Sequence, residues 1–96
     1  MLKTQQKPGL VFVYLPSSGR CRRVEAFLAQ VLQRRANHET FRLYRVDADE
    51  RPDLVKRFRV GAVPTLLVVE DKCVRGRLEQ PKGCRDIEAF LAPWLH

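Results

Sequence analysis

The 96-residue chain is short of several things, and each shortage excludes something. It has three cysteines, Cys21, Cys73 and Cys84, an odd number with no pair at C-x-x-C spacing. That argues against a disulfide framework. No Cys/His cluster accompanies them, so no metal site and no cofactor are expected. The longest apolar runs are about six residues, far below the ~20 that a membrane-spanning helix needs. Lys3 and Lys7 imitate the basic start of a secretory leader. The apolar run after them is too short, and Pro16 to Cys21 offers no small-x-small cleavage site. The cytoplasm, with thiols kept reduced, is the expected location, with no membrane partner. The chain also lacks internal repeats, low-complexity tracts and blocks of like charge.

What remains is an ordinary globular composition. The hydrophobic fraction is 45%, enough for one domain over residues 1–96 with a modest core and a flexible polar start at 1–8. The formal net charge is +7, carried largely by Arg. Such a balance favours acidic partners in general. The cations are scattered, and no aromatic platform interleaves with them. Nucleic acid is therefore disfavoured, and an acidic protein or peptide is the preferred partner of a monomer.

The order of elements follows from periodicity. Leu10–Leu15 is a continuous apolar run, as expected of a central strand covered on both faces. Pro16 ends it. Ser18 is a natural N-cap, and Val24, Phe27, Leu28, Val31 and Leu32 mark a helix from about Gly19 to Ala36. Cys21 lies on its apolar stripe; Arg20, Arg22, Arg23, Arg34 and Arg35 lie off it or at its margin. Asn37-His38-Glu39 reads as an exit loop. Phe41–Val46 reads as a second strand. Pro52, with acids around it, suits the first turn of a short helix whose apolar face is Leu54, Val55 and Phe58. Leu66–Val69 is a third strand, Glu70-Asp71-Lys72 a turn, and Cys73–Leu78 a returning edge strand. Ile87, Phe90, Leu91, Trp94 and Leu95 mark a last helix, with Pro93 disturbing its final turn. The expected fold is α/β, β-α-β-α-β-β-α, with a four-stranded mixed sheet flanked by helices.

The strand–turn–helix segment Ser17-Ser18-Gly19-Arg20-Cys21, together with Gly61-Ala62-Val63-Pro64-Thr65, resembles the thioredoxin family. The resemblance spans about residues 9–95. Many members carry a further N-terminal strand and helix, for which this chain has no room. Family members carry Trp-Cys-Gly-Pro-Cys at the first segment and Gly-Ile-Pro-Thr, with a cis proline, at the second. Asp49 and Pro52, the hairpin and Phe90-Leu91 also fall in register. The resemblance implies that Ser18 stands where the nucleophilic Cys would be, and Cys21 at the resolving Cys. Phe12 stands where the family buries an Asp, Ser17 where it has the Trp, and Arg45 where it has a Lys. A hydroxyl cannot undergo thiol–disulfide exchange, so dithiol reductase activity is not expected.

Each candidate residue has a plain alternative. Ser18 serves well as a helix cap. His38 lies across a loop and no oxyanion hole is indicated, which argues against a nucleophilic serine. Cys21 fits either a small buried core residue or a reactive thiol at a helix N-terminus. Cys73 and Cys84 are expected at opposite ends of the fourth strand, unpaired. The expected function is a redox-degenerate binding module that docks an extended or acidic protein segment. Its groove would lie between Ser17–Cys21 and Val63-Pro64, with the Val63 backbone available for pairing and Arg20, Arg22, Lys56 and Arg59 on its borders. The alternative is a single-thiol oxidoreductase or thiol sensor acting through Cys21.

Overall fold

The sheet grows outward from its most apolar strand. In the computed structural model, which describes residues 7–34 and 40–94, β1 is Gly9–Tyr14 and lies inside the four-stranded order β2-β1-β3-β4. Strand β2 (Arg42–Asp47) pairs with it in parallel, and β3 (Thr65–Glu70) pairs antiparallel on its other side. Strand β4 (Cys73–Glu79) returns antiparallel to β3 and forms the second edge. Pairing begins before β1 proper, because the Pro8 carbonyl accepts the Arg42 N–H at 2.9 Å. Residue 8 is thus tied to the sheet; residues 1–6 of the expected flexible start lie outside the described residues.

Alternation along β1 divides the core in two. Leu10 and Phe12 point to one face, where helix α1 (Gly19–Gln33) and helix α3 (Cys84–Leu91) bring Val24, Leu28, Val31, Ile87 and Leu91. Val11 and Val13 point to the other, with Val46 and Leu67, under the short helix α2 (Pro52–Arg57). Burying a side chain of this size contributes about 1.5–3 kcal/mol, so the run that makes β1 apolar also makes it the centre of both layers.

Helix α1 is shorter than its sequence suggests. It stops at Gln33, and Arg34 is already extended at ψ 131°. Its last buried side chain is Leu32. Ala36 and the exit loop 37–39 lie outside the described residues. Arg34 pairs with Glu88 and so links α1 to α3. Helix α2 has Pro52 in its first turn, where the missing N–H costs nothing. The hairpin turns through Asp71 and Lys72 at φ 53° and 65°, the left-handed pair that a two-residue connection requires. Helix α3 gives way at Leu91 to a 3-10 turn, Ala92–Trp94, at the expected disturbance by Pro93. Phe90 and Trp94 pack against β4 at Gly76, where an added Cβ would lie 2.9 Å from the Phe90 ring.

Candidate functional site

The site forms where β1 hands the chain to α1. Pro16 and Ser17 carry it around an exposed turn closed by the Ser18 N–H donating to the Leu15 carbonyl at 3.1 Å. Ser18 is still extended, at φ −91°, ψ 123°, and its Oγ accepts the Cys21 N–H at 3.2 Å. This is the N-cap expected from the sequence, and it commits the hydroxyl to the backbone. Gly19 and Arg20 are exposed behind it.

Cys21 faces inward. The residue is 2% exposed, and its Sγ accepts the Leu15 N–H at 3.4 Å. Cys21 is one of the residues that line a small cleft of about 250 Å³, with Tyr14, Pro16, Arg22 and Arg45. Arg45 bridges to Glu25 at 2.7 Å, with its guanidinium 5.2 Å from the centre of the Tyr14 ring. Tyr14 is in turn stacked on Phe12 at 5.3 Å. The neighbourhood of the thiol is therefore an aromatic stack capped by a paired cation. Phe12 is 1% exposed in the larger apolar cluster, so a carboxylate at that position would lose its hydration unpaired.

Sheet register brings the second segment alongside. Val13 opposes Thr65 across β1 and β3, so Val63-Pro64 arrives beside the end of β1 and the turn that follows it. The Val63–Pro64 peptide bond is cis, and Pro64 is fully buried. Thr65 is also buried, and its Oγ1 donates to the Ala62 carbonyl. The Val63 carbonyl is not free as the sequence suggests: the Gln80 side chain donates to it at 3.3 Å. The Gln80 N–H donates to the Pro64 carbonyl at 2.8 Å. Gln80 was invisible as a site residue, because a polar residue after an edge strand reads as loop.

The flanking cations sit on different elements. Arg20 and Arg22 are exposed at the start of α1. Arg59 sits at φ 54° after α2, and its carbonyl accepts from the Arg77 guanidinium at 3.1 Å, as the Phe58 carbonyl does at 2.7 Å. Arg77 belongs to β4, so the Arg59 backbone is drawn to the β4 side. Lys56 is exposed on α2. Cys73 is exposed at the hairpin. Cys84 is half-buried at the start of α3, with its Sγ 3.2 Å from Gln30 Oε1; both thiols are unpaired. No group of three or more His, Cys, Asp or Glu among the described residues is placed to hold a metal.

Known proteins share this fold. A family model described as Thioredoxin matches residues 1–93. No curated protein sequence matches the chain. Among solved structures, Trxlp from Edwardsiella tarda EIB202 is 25% identical, with a TM-score of 0.79 over 88% of this chain and 82% of that one. Desulfothioredoxin from Desulfovibrio vulgaris Hildenborough, in its reduced form, is 24% identical, with a TM-score of 0.77 over 92% and 82%. A malarial protein superposes with a TM-score of 0.78 at 16% identity, over 95% of this chain and all of that one.

Proposed function

The chain belongs to the thioredoxin family, and from that premise we propose that it works as a binding module rather than as a dithiol reductase. The module docks an extended, acidic protein segment along Ser17–Cys21 and Val63-Pro64. One observation carries the reading. The Ser18 oxygen is held by the Cys21 N–H, and the Cys21 sulfur is held inward by the Leu15 N–H. The pair that would exchange disulfides is thus one hydroxyl and one inward thiol, and exchange needs an exposed attacking thiolate. Arg20 and Arg22 then remain as exposed donors for carboxylates.

The cleft beside Cys21 favours a second reading, single-thiol chemistry, because it gives a small reagent a route to the sulfur. Two measurements separate the readings. In amide chemical-shift mapping with an acidic extended peptide, the docking reading expects shifts at Ser17–Cys21 and Ala62–Thr65. Those shifts should shrink in Arg20→Glu and weaken with salt. Insulin reduction with dithiothreitol should stay at background. Turnover lost in Cys21→Ala, or alkylation of native Cys21 as fast as that of exposed Cys73, would overturn docking in favour of the thiol.

A further inference from the structure

The two faces of the sheet are unequally covered. Helices α1 and α3 lie on one, while six-residue α2 lies on the other. Beside α2 a groove of about 1040 Å³ stays open. Gly9, Val11 and Val69 line it together with Tyr44, Leu54 and Phe58. The groove runs out to β2, an edge strand unpaired on its outer side among the described residues. Register with β1 sorts the side chains of β2. Arg42 and Tyr44 share the groove face with Gly9 and Val11; Leu43 and Arg45 share the opposite face with Leu10 and Phe12. Each face of this edge therefore shows one cation and one apolar side chain. Leu43 is 44% exposed and Tyr44 48%. A helix laid in the groove would cover Tyr44 and leave Leu43 bare. An element running along the edge covers both.

We propose that β2 accepts a fifth strand from a partner protein, and that the strand reads acidic–apolar–apolar–acidic across Arg42, Leu43, Tyr44 and Arg45. Main-chain hydrogen bonds to an open edge supply affinity, and alternate side chains supply selectivity. Among the described residues no side chain pairs with the Arg42 guanidinium. Arg45 is bound to Glu25 with both side chains about half exposed, so a partner carboxylate can reach its outer edge. A second copy of this chain is a poor occupant. Two-fold antiparallel pairing has to centre on one residue, because opposed side chains share a face; centred on Tyr44 it sets Leu43 against Arg45 of the other copy, an apolar side chain where an acid would be matched. The +7 charge of each chain further disfavours self-association. The surface runs along the β2 edge, meets the Cys21 cleft only at Arg45, and does not depend on the docking reading above.

The test uses the full chain and a capped synthetic peptide whose central residues are glutamate, valine, valine and glutamate, flanked by threonines. Its lysine-for-glutamate counterpart is the control. Amide shifts should gather on Arg42–Val46, and alternate β2 amides should exchange more slowly with peptide present. The control should bind about ten-fold more weakly or worse, because like charges meet at both ends. Arg42→Glu, an exposed change, should narrow or reverse that preference. Equal binding of the two peptides, no binding, or shifts at Val11 and Leu54 with Leu43 silent would overturn the proposal. So would self-association of the free protein with β2 amides protected.

Discussion

Changing Ser18 separates the cap from everything else at the site. Its Oγ holds the Cys21 N–H at 3.2 Å, and α1 has no acid in its first turn to assist. Arg20 and Arg22 stand there instead, cations at the positive end of a helix dipole. The cap is thus the one favourable electrostatic device at that end. Ser18→Ala should cost about 1 kcal/mol, within the usual range of roughly 0.5–2, and Ser18→Gly only a few tenths. Ser18→Asp keeps the acceptor and adds a negative charge beside two arginines, for a gain of about 0.3–1 kcal/mol. For a domain of this size each kcal/mol moves Tm by about 4–8 °C. Urea and thermal unfolding followed by circular dichroism should therefore rank the variants Asp, Ser, Gly, Ala from most to least stable. An Ala variant as stable as the parent, or an Asp variant less stable than Ser, would refute the reasoning.

Ser18→Cys should create a dithiol one helical turn apart; mild oxidation should remove two protons in the mass spectrum of the variant and none in the parent. Intermolecular dimers alone would mean that the turn holds the sulfurs apart. Gly76→Ala pushes a methyl to 2.9 Å from Phe90 and 3.4 Å from Trp94, so it should cost about 1–3 kcal/mol and change Trp94 fluorescence. Asp53 is held below the ordinary carboxylate value, first by the hydrogen bond from Arg51 and also by its charge. Its contribution to stability is present above the unfolded-state value and is lost as pH falls through the lower folded-state one. Carboxyl NMR should show a higher Asp53 midpoint in Arg51→Gln, and an unchanged midpoint would discount the pair.

The backbone plan was written in the sequence because its signals are local. The unbroken apolar run of β1 announced a strand covered on both faces, and Pro52 announced the start of α2. The Ser18 cap was legible for the same reason: cap and helix are neighbours. What the sequence hid depends on partners far apart along the chain. Gln80 reaches Val63 and Pro64 only because β4 ends beside β3. Arg77 takes the Phe58 and Arg59 carbonyls, tying the end of α2 to β4. Leu43 and Tyr44 read only as members of a second strand. They are exposed because β2 is an edge, a property of strand order that no single segment encodes.

The placing of glycine leaves the chain open to improvement. Among the described residues the left-handed ones are Arg59, Asp71, Lys72 and Gln80, and no glycine has positive φ. Glycine would adopt the Lys72 conformation, φ 65°, without the roughly 1–2 kcal/mol that a Cβ costs there. Gly83 stands extended at φ 179°, with open space where a side chain would be and no side-chain cap for α3. A serine there would stiffen the unfolded chain less expensively than any core change and could cap the helix as Ser18 caps α1. Exchanging such residues between turn and cap is a route to a hardier scaffold that leaves both apolar layers, the thiol and the open β2 edge as they are.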